Sequence, residues 1–367
     1  MRWGLLFVGI QGASASTLAA SLSRENDDTF RVGSYWCTLA GDYPKQVYDL
    51  VLGGWDYRHH TFHEAVQQNA ILNADATDEE RITAFPAVLG PSDYAVRVEK
   101  HTPTHETYED AVVCLRRDIA SFRDKNSLHH VIVMNMSSPM YCGPSIEAGW
   151  SSIPAYAKAA VEEGADWVEF TPSDSITENL VQLAKRSGSR IAGRDGSTGQ
   201  TILKLVLRDF LQDRGLRIET WYSTNLIGNR DGLVLSHDDY KVTKLRDKTS
   251  VLPESHEGAK RHLVEIQFVP PTGDNKESWD CVYFLGWLNT RMSLRINWHG
   301  ADSFLAAPLM LDIISGLIHA DHIGHPPGVV SALGLCFKSP FGVESYRFDE
   351  LYSDFKKFVA RRTGEDE

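Results

Sequence analysis

The opening run WGLLFVGIQGASASTLAASLSR constrains the fold most: an apolar strand-like stretch enters a turn of small residues and passes directly into a helix-like segment. A strand that turns so tightly into a helix aims the first helical amides at one point, which is the geometry of a nucleotide-phosphate site. Ser16 and Thr17 are the capping candidates in that first turn. The pattern recurs in DLVLGGWD (49–56), HHVIVMNMSS (129–138) and ADWVEFTPS (165–173), with helix-like segments between them. In SITENLVQLAKRSG (175–188), Thr177 or Ser175 is placed to cap a helix and Gly188 to stop it. Strand alternating with helix predicts an α/β architecture, a doubly wound and mostly parallel sheet over about the first 195 residues.

The pattern changes after AGRDGSTGQT (192–201). A helix-like TILKLVLRDFLQDRG precedes longer runs of period two, RIETWYSTNLIG, RHLVEIQFVPP, WDCVYFLGWL and MSLRINWHG, so a second mixed or antiparallel sheet is expected. DSFLAAPLMLDIISGLIHA (302–320) reads as an apolar helix and FDELYSDFKKFVARR as an amphipathic one.

A net charge of −12 argues against nucleic acid and against an anionic membrane surface as partners. No apolar run is read as reaching the roughly 20 residues of a bilayer span, and a cytoplasmic location is expected. Cys37, Cys114, Cys142, Cys281 and Cys336 lack CxxC spacing, which suggests reduced core residues. The histidine patches RHHTFH (58–63) and HADHIGH (319–325) lack accompanying ligands at zinc spacing, and no metal is assigned.

Four motifs carry chemistry. In the first turn Gly9 and Gly12 are present, Gln11 stands where a dinucleotide fingerprint often has glycine, and Ala15 replaces its last glycine. Asp56, in GGWD, is a substitute for the acid that reads the adenosine ribose, or simply a turn residue. In GRDGSTGQT, several amides and hydroxyls precede a helix, more than a plain cap requires, so a phosphate is expected there. Asp274 and Lys276 in VPPTGDNK, and Asp302 before the apolar helix, read alone as a solvated turn and an N-cap. Finally, Lys241, Lys244 and Lys248 crowd GNRDGLVLSHDDYKVTKLRDKTSVL, as either a solvated basic face or an anion site.

Taken in order, GRDGSTGQT, TNLIGNRDGLVLS, VPPTGDNK and DSFLAAPLMLD resemble the myo-inositol-1-phosphate synthase family, with VGIQGASAST, LGGWD and NMSSP as looser matches. The resemblance implies a Rossmann-like NAD domain over 1–196, completed by 306–367, and a catalytic and oligomerisation domain over 197–305. It implies a homotetramer, a hexose phosphate substrate, and NAD bound and recycled, with a monovalent or divalent cation left open. Thr198, Gly199, Gln200 and Thr201 fall on the family's phosphate turn, with Lys276 beside it. Lys244, Lys248, Lys338, Asp195 and Asp302 are expected to be catalytic. Gly9, Gln11, Gly12, Ala15, Ser16, Thr17, Asp56, Asn135, Asp231 and Asp274 are expected around the cofactor.

The implied reaction oxidises C5 of open-chain glucose 6-phosphate, enolises toward C6, closes the ring on the C1 aldehyde and reduces the ketone again. Lys244 is expected to serve the oxidation, and Lys248 and Lys338 the enolate and aldol oxygens, because an ammonium in a dry pocket stabilises a developing oxyanion. Ser197 departs from the family by standing where related sequences commonly carry lysine. That departure keeps open a relative acting on fructose 6-phosphate, and a fold that binds NAD without turnover is the alternative of another class.

Overall fold

The structure, a computed structural model, describes residues 1–56, 62–69, 82–90, 104–137, 151–228 and 262–362. Asp231, Lys241, Lys244, Lys248 and Cys142 lie outside the described residues. In chain order the elements are β1 (Trp3–Val8), α1 (Ala13–Ser21), α2 (Tyr35–Ala40), α3 (Lys45–Tyr48), β2 (Val51–Asp56), α4 (Phe62–Asn69), β3 (Ile82–Pro86) and α5 (Tyr108–Lys125). They continue as β4 (His130–Asn135), α6 (Ser152–Glu162), β5 (Asp166–Glu169), α7 (Glu178–Ser187), β6 (Arg190–Gly193), α8 (Gln200–Asp213) and β7 (Arg217–Ile227). The last are β8 (His262–Phe268), β9 (Asn275–Leu285), β10 (Arg291–Ala301), α9 (Asp302–His322), β11 (Gly328–Val329) and α10 (Phe348–Ala360).

The first sheet runs β11-β6-β5-β4-β1-β2-β3, and every pairing in it is parallel. The order reverses between β1 and β4, which opens a crevice at the carboxyl ends of those strands. Both faces are covered, and this is why the strands read as continuous apolar runs. Trp3, Leu5 and Phe7 pack with residues of α1, α9 and α10, while Leu6 and Val8 pack with α5, α6 and α7. Each such burial stabilises by roughly 1.5–3 kcal/mol. In α7 both ends follow the expected caps: Thr177 accepts from Leu180 N, and Gly188 closes the helix at φ 84°.

The second sheet runs β10-β9-β7-β8 and is mixed: β7 pairs parallel with β8 and antiparallel with β9. Leu211 of α8 packs with Ile218, Trp221 and Val282 on one face. The opposite face leaves Trp279 and Tyr283 about half exposed.

Helix α9 ties the layers together. It begins directly after β10, and its body lies in the core of the first sheet against α1. It also corrects the sequence reading on apolar runs: it spans 21 residues, and an 18-residue stretch of it has a mean hydropathy of 1.6, enough by length and composition to cross a membrane. Here 78% of that apolar window is buried inside the protein, so the helix serves as a core element.

Two buried polar contacts hold the frame. Asp312, inside α9, accepts from Ser34 Oγ at 2.5 Å, Tyr35 N at 2.8 Å and Trp36 N at 3.1 Å, and so caps α2 from outside. Burial pushes its carboxyl up to about 7, against the pull of those donors. Asp312→Ala is expected to lower unfolding stability by about 2–4 kcal/mol, read from a denaturant midpoint. At the amino ends of the strands, His130 Nε2 lies 3.1 Å from Asp166 Oδ2. Burial alone would lower the His130 pKa, but the Asp166 charge outweighs it and raises the value above 6.5. A raised histidine pKa contributes stability that is full below 6.5 and is lost as pH rises through the folded value. The stability gap between wild type and His130→Ala should therefore narrow from pH 5.5 to pH 8.5; a gap that widens would contradict this pairing.

Candidate active site

The carboxyl end of β1 leads into Gly9, whose φ is 88°. A Cβ there would also sit 3.3 Å from the Ser137 backbone, so glycine is required on both counts. Gly12 is the N-cap of α1, which has no side-chain cap and no acidic residue in its first turn. Its leading amides and the positive end of its dipole are thus turned toward a site suited to an anion. Asp56 closes β2, and its Oδ2 accepts from Gln11 N at 2.9 Å, which places the acid beside the turn. The usual spacing to such an acid is lengthened because α2 and α3 precede β2. These residues fit a dinucleotide: an uncapped helix start for the pyrophosphate and an acid at the end of the second strand for a ribose.

The structure revises the part of some neighbours. Ser16 Oγ donates to Gly12 O at 2.8 Å and Thr17 Oγ1 to Ala13 O at 2.8 Å, so both hydroxyls bond back into α1 instead of capping it. Ala15 is buried in the α1 contact with the core, as suits a position where a fingerprint has its packing glycine. Asn135 is fully buried, and its side chain is committed to Glu169, Thr171 and Ser137, behind the turn.

The second cluster gathers around the starts of α8 and α9. Gly199 is the N-cap of α8, again with no side-chain cap and no acid in the first turn. Lys276 Nζ and Thr198 Oγ1 both reach Asp302 Oδ1, at 3.3 and 3.1 Å. Asp302 is the first residue of α9, not its cap; Asp274 serves there, accepting from Ser303 Oγ at 3.0 Å and, through its carbonyl, from Asp302 N at 3.3 Å. Gln200 Nε2 donates to Asp280 Oδ2 at 2.8 Å, so Gln200 offers the turn its backbone and not its side chain. Thr201 is buried in the same first turn.

Beneath this turn lies a buried ion pair, Lys204 with Asp280 at 3.3 Å, which Ser223 and Trp221 also join. Burial lowers the Lys204 pKa despite the attraction of Asp280. Burial opposes ionisation of Asp280 too, but Lys204 and the three neutral donors hold its carboxyl below the usual range.

The third cluster sits where β6 ends. Asp195 has φ 59°, a left-handed conformation that is uncommon outside glycine. It is held there by Asp195 N donating to Thr171 O at 3.2 Å and by Lys338 N donating to Asp195 O at 2.7 Å. Lys338 Nζ then meets Asp195 Oδ1 at 2.6 Å, with both side chains largely buried. Three residues of chain, at most about 11 Å, separate Asp195 from Thr198, so the pair stands next to the turn that starts α8. Glu169, at the end of β5, is buried among Asn135, Thr171 and Ser175, and burial raises its carboxyl to about 7 while those donors pull it down.

Sequence reasoning did not single out Glu169, Lys204, Asp280 or Ser303. A faint signal exists for the first: Asp166 and Glu169 are charges at the two ends of the short, fully buried strand DWVE. Among the described residues no group of three or more His, Cys, Asp or Glu side chains could hold a metal ion.

An anion-ready helix start on a doubly wound sheet, with a second such start flanked by lysine and carboxylates, is the arrangement a dinucleotide-dependent enzyme of phosphorylated substrates would need. Family models described as myo-inositol-1-phosphate synthase match residues 45–148 and 199–303. The inositol-3-phosphate synthase 1 of Bacteroides thetaiotaomicron is 30% identical over 359 residues, covering 85% of this chain and 83% of the relative. The Saccharomyces cerevisiae inositol-3-phosphate synthase is 28% identical, over 72% of this chain and 58% of its own length. Among solved structures, the Caenorhabditis elegans inositol-3-phosphate synthase superposes with a TM-score of 0.82 at 21% identity, covering all of this chain and 87% of that one. A Thermotoga maritima myo-inositol-1-phosphate synthase-related protein gives 0.80 at 20% identity with full coverage of both chains. The chain belongs to the myo-inositol-1-phosphate synthase family, NAD-dependent, isomerase-type cyclases of sugar phosphates.

Asp280→Ala would strand the Lys204 ammonium in the interior and release Gln200. A loss of about 3–5 kcal/mol in unfolding stability is expected from chemical denaturation, since breaking one side of a buried pair leaves the other uncompensated.

Proposed function

We propose that this chain converts glucose 6-phosphate to a myo-inositol phosphate with no net change of redox state. The observation that carries the reading is the buried Lys338–Asp195 pair, 2.6 Å apart and next to the phosphate turn. NAD, when bound, would supply the acceptor for the C5 hydride and the donor that reduces the ketone after ring closure. The α1 amides, the Gly9 turn and Asp56 would hold and orient it.

The substrate phosphate is placed at the start of α8, with Thr198, Gly199, Gln200 and Thr201 contributing amides and Lys276 the countercharge. There the open helix dipole favours an anion and the Asp302 carboxylate keeps Lys276 extended toward it. Oxidation at C5 takes a hydride from carbon and a proton from the hydroxyl, and the resulting ketone acidifies C6. Loss of a C6 proton gives an enolate whose C6 bonds to C1, and the C1 oxyanion then takes a proton. Lys244 is assigned the C5 hydroxyl proton, and Lys248 and Lys338 the enolate and aldol oxygens. Lys338 suits that part because Asp195 and the backbone hold its ammonium in a water-poor position, where stabilisation of an oxyanion is strongest. The substrate phosphate itself can assist removal of the C6 proton. Asp231 and Asp274 are assigned to the nicotinamide side.

In the same reading residues 1–196, completed by 306–367, form the NAD-binding domain, and 197–305 form the catalytic and tetramerisation domain. The half-exposed Trp279 and Tyr283 on the free face of the second sheet support assembly through that face into a homotetramer.

Phosphorus NMR of the protein with NAD and glucose 6-phosphate tests the reading. A new cyclitol phosphate is expected, without free NADH. Conversion of fructose 6-phosphate alone would move the assignment to a carbocyclic sugar phosphate, in keeping with Ser197 at the turn; NAD binding without conversion of either would make the chain a binding module. Lys338→Met should lower kcat by about a thousandfold while NAD affinity changes by less than about threefold. A variant that retains most of its turnover would remove Lys338 from the reaction.

A further inference from the structure

Glu169 is the last residue of β5 and has no exposed surface. A carboxyl group buried this way is unfavourable unless donors surround it. Its Oε1 accepts from Asn135 Nδ2 at 2.8 Å, Thr171 N at 3.1 Å and Thr171 Oγ1 at 2.7 Å, and its Oε2 accepts from Ser175 Oγ at 2.5 Å. These partners reach in two directions. On one side Asn135 Oδ1 accepts from Ser137 N and Ser137 Oγ at 3.1 and 2.7 Å, and the Ser137 backbone lies against Gly9 in the cofactor turn. On the other side the carbonyl of Thr171 accepts from Asp195 N at 3.2 Å, and the carbonyl of Phe170 accepts from Gly196 N at 3.0 Å. One carboxylate therefore sits between the turn at Gly9 and the loop that presents Asp195 to Lys338.

We propose that Glu169 is a positioning residue that fixes the spacing between the Gly9–Ser137 turn and the Asp195–Lys338 pair. It touches neither substrate nor cofactor, and acts through Asn135 and Thr171. Hydride and proton transfer both depend on that spacing, and a misplacement of about 1 Å can lower a rate by about a hundredfold. The proposal rests on the cyclase reading given above.

The test compares Glu169→Ala and Glu169→Gln in the full chain. Glutamine keeps a carbonyl oxygen for the three donors on Oε1 and can donate its amide to Ser175 Oγ, which reverses that bond without moving the atoms. Alanine removes the carboxylate acceptor from all four donors, of which Asn135 Nδ2 keeps Thr171 Oγ1 as a second partner. The first readout is amide hydrogen exchange with neither NAD nor substrate present. In Glu169→Ala, exchange at Thr171, Asp195, Gly196 and Ser137 should quicken by about tenfold or more while β1 and β6 stay protected, and Glu169→Gln should restore protection. The second readout is kinetic. Glu169→Ala should lose kcat by about thirtyfold or more with KM within about threefold, and Glu169→Gln should recover to within about fivefold of wild type.

Unchanged exchange in the Asp195 loop of Glu169→Ala would overturn the proposal, as would equal loss of kcat in both variants. If the wild type converts no hexose phosphate, the cyclase reading fails, and the exchange pattern still decides whether Glu169 sets the spacing.

Discussion

The relation between the two halves of the site depends on the burial of α9. Its first residues, Asp302 and Ser303, meet Lys276, Thr198 and Asp274 beside the start of α8. Its body packs in the core against α1, the helix that begins at the cofactor turn. A close-packed interior does not let such a helix slide, so the distance between the starts of α1 and α9 is carried by apolar packing. The cap that Asp312 gives α2 anchors the same helix a second time.

On that frame the electrostatics are local. The chain carries a net charge of −12, yet the candidate anion sites combine helix starts without side-chain caps with single lysines, each braced by a carboxylate. Asp302 braces Lys276 and Asp195 braces Lys338. Bracing extends a flexible side chain at little cost in screening, because these pairs are mostly withdrawn from water. The arrangement gives an acidic protein helix starts and braced lysines suited to anions without a broad basic face.

Much of this was legible in the sequence. Covered parallel strands declare themselves as apolar runs, and Thr177 and Gly188 bound α7 through their own local chemistry. The glycine turn and the GRDGSTGQT turn stand out because small residues and donors cluster there, whereas the GDNK loop alone reads as a solvated turn. Side-chain commitments were not legible. Gln200 faces Asp280, eighty residues on, and Asn135 faces Glu169, thirty-four residues on, so their roles depend on register between strands and not on spacing along the chain. Ser16 and Thr17 look like caps by residue type, but Gly12 already occupies the cap position and their hydroxyls turn into the helix. Lys204 and Glu169 sit singly within apolar segments, where a local window shows a charge but not the partner that makes it tolerable.

The central claim is that one hydride leaves C5 and returns to the same carbon within a single turnover. Supplying glucose 6-phosphate deuterated at C5, with unlabelled NAD, tests it most directly. The account predicts a cyclitol phosphate that retains the deuterium at the carbon derived from C5, with none appearing in free NADH. Product formed with that deuterium lost, or deuterium accumulating in released NADH, would contradict it.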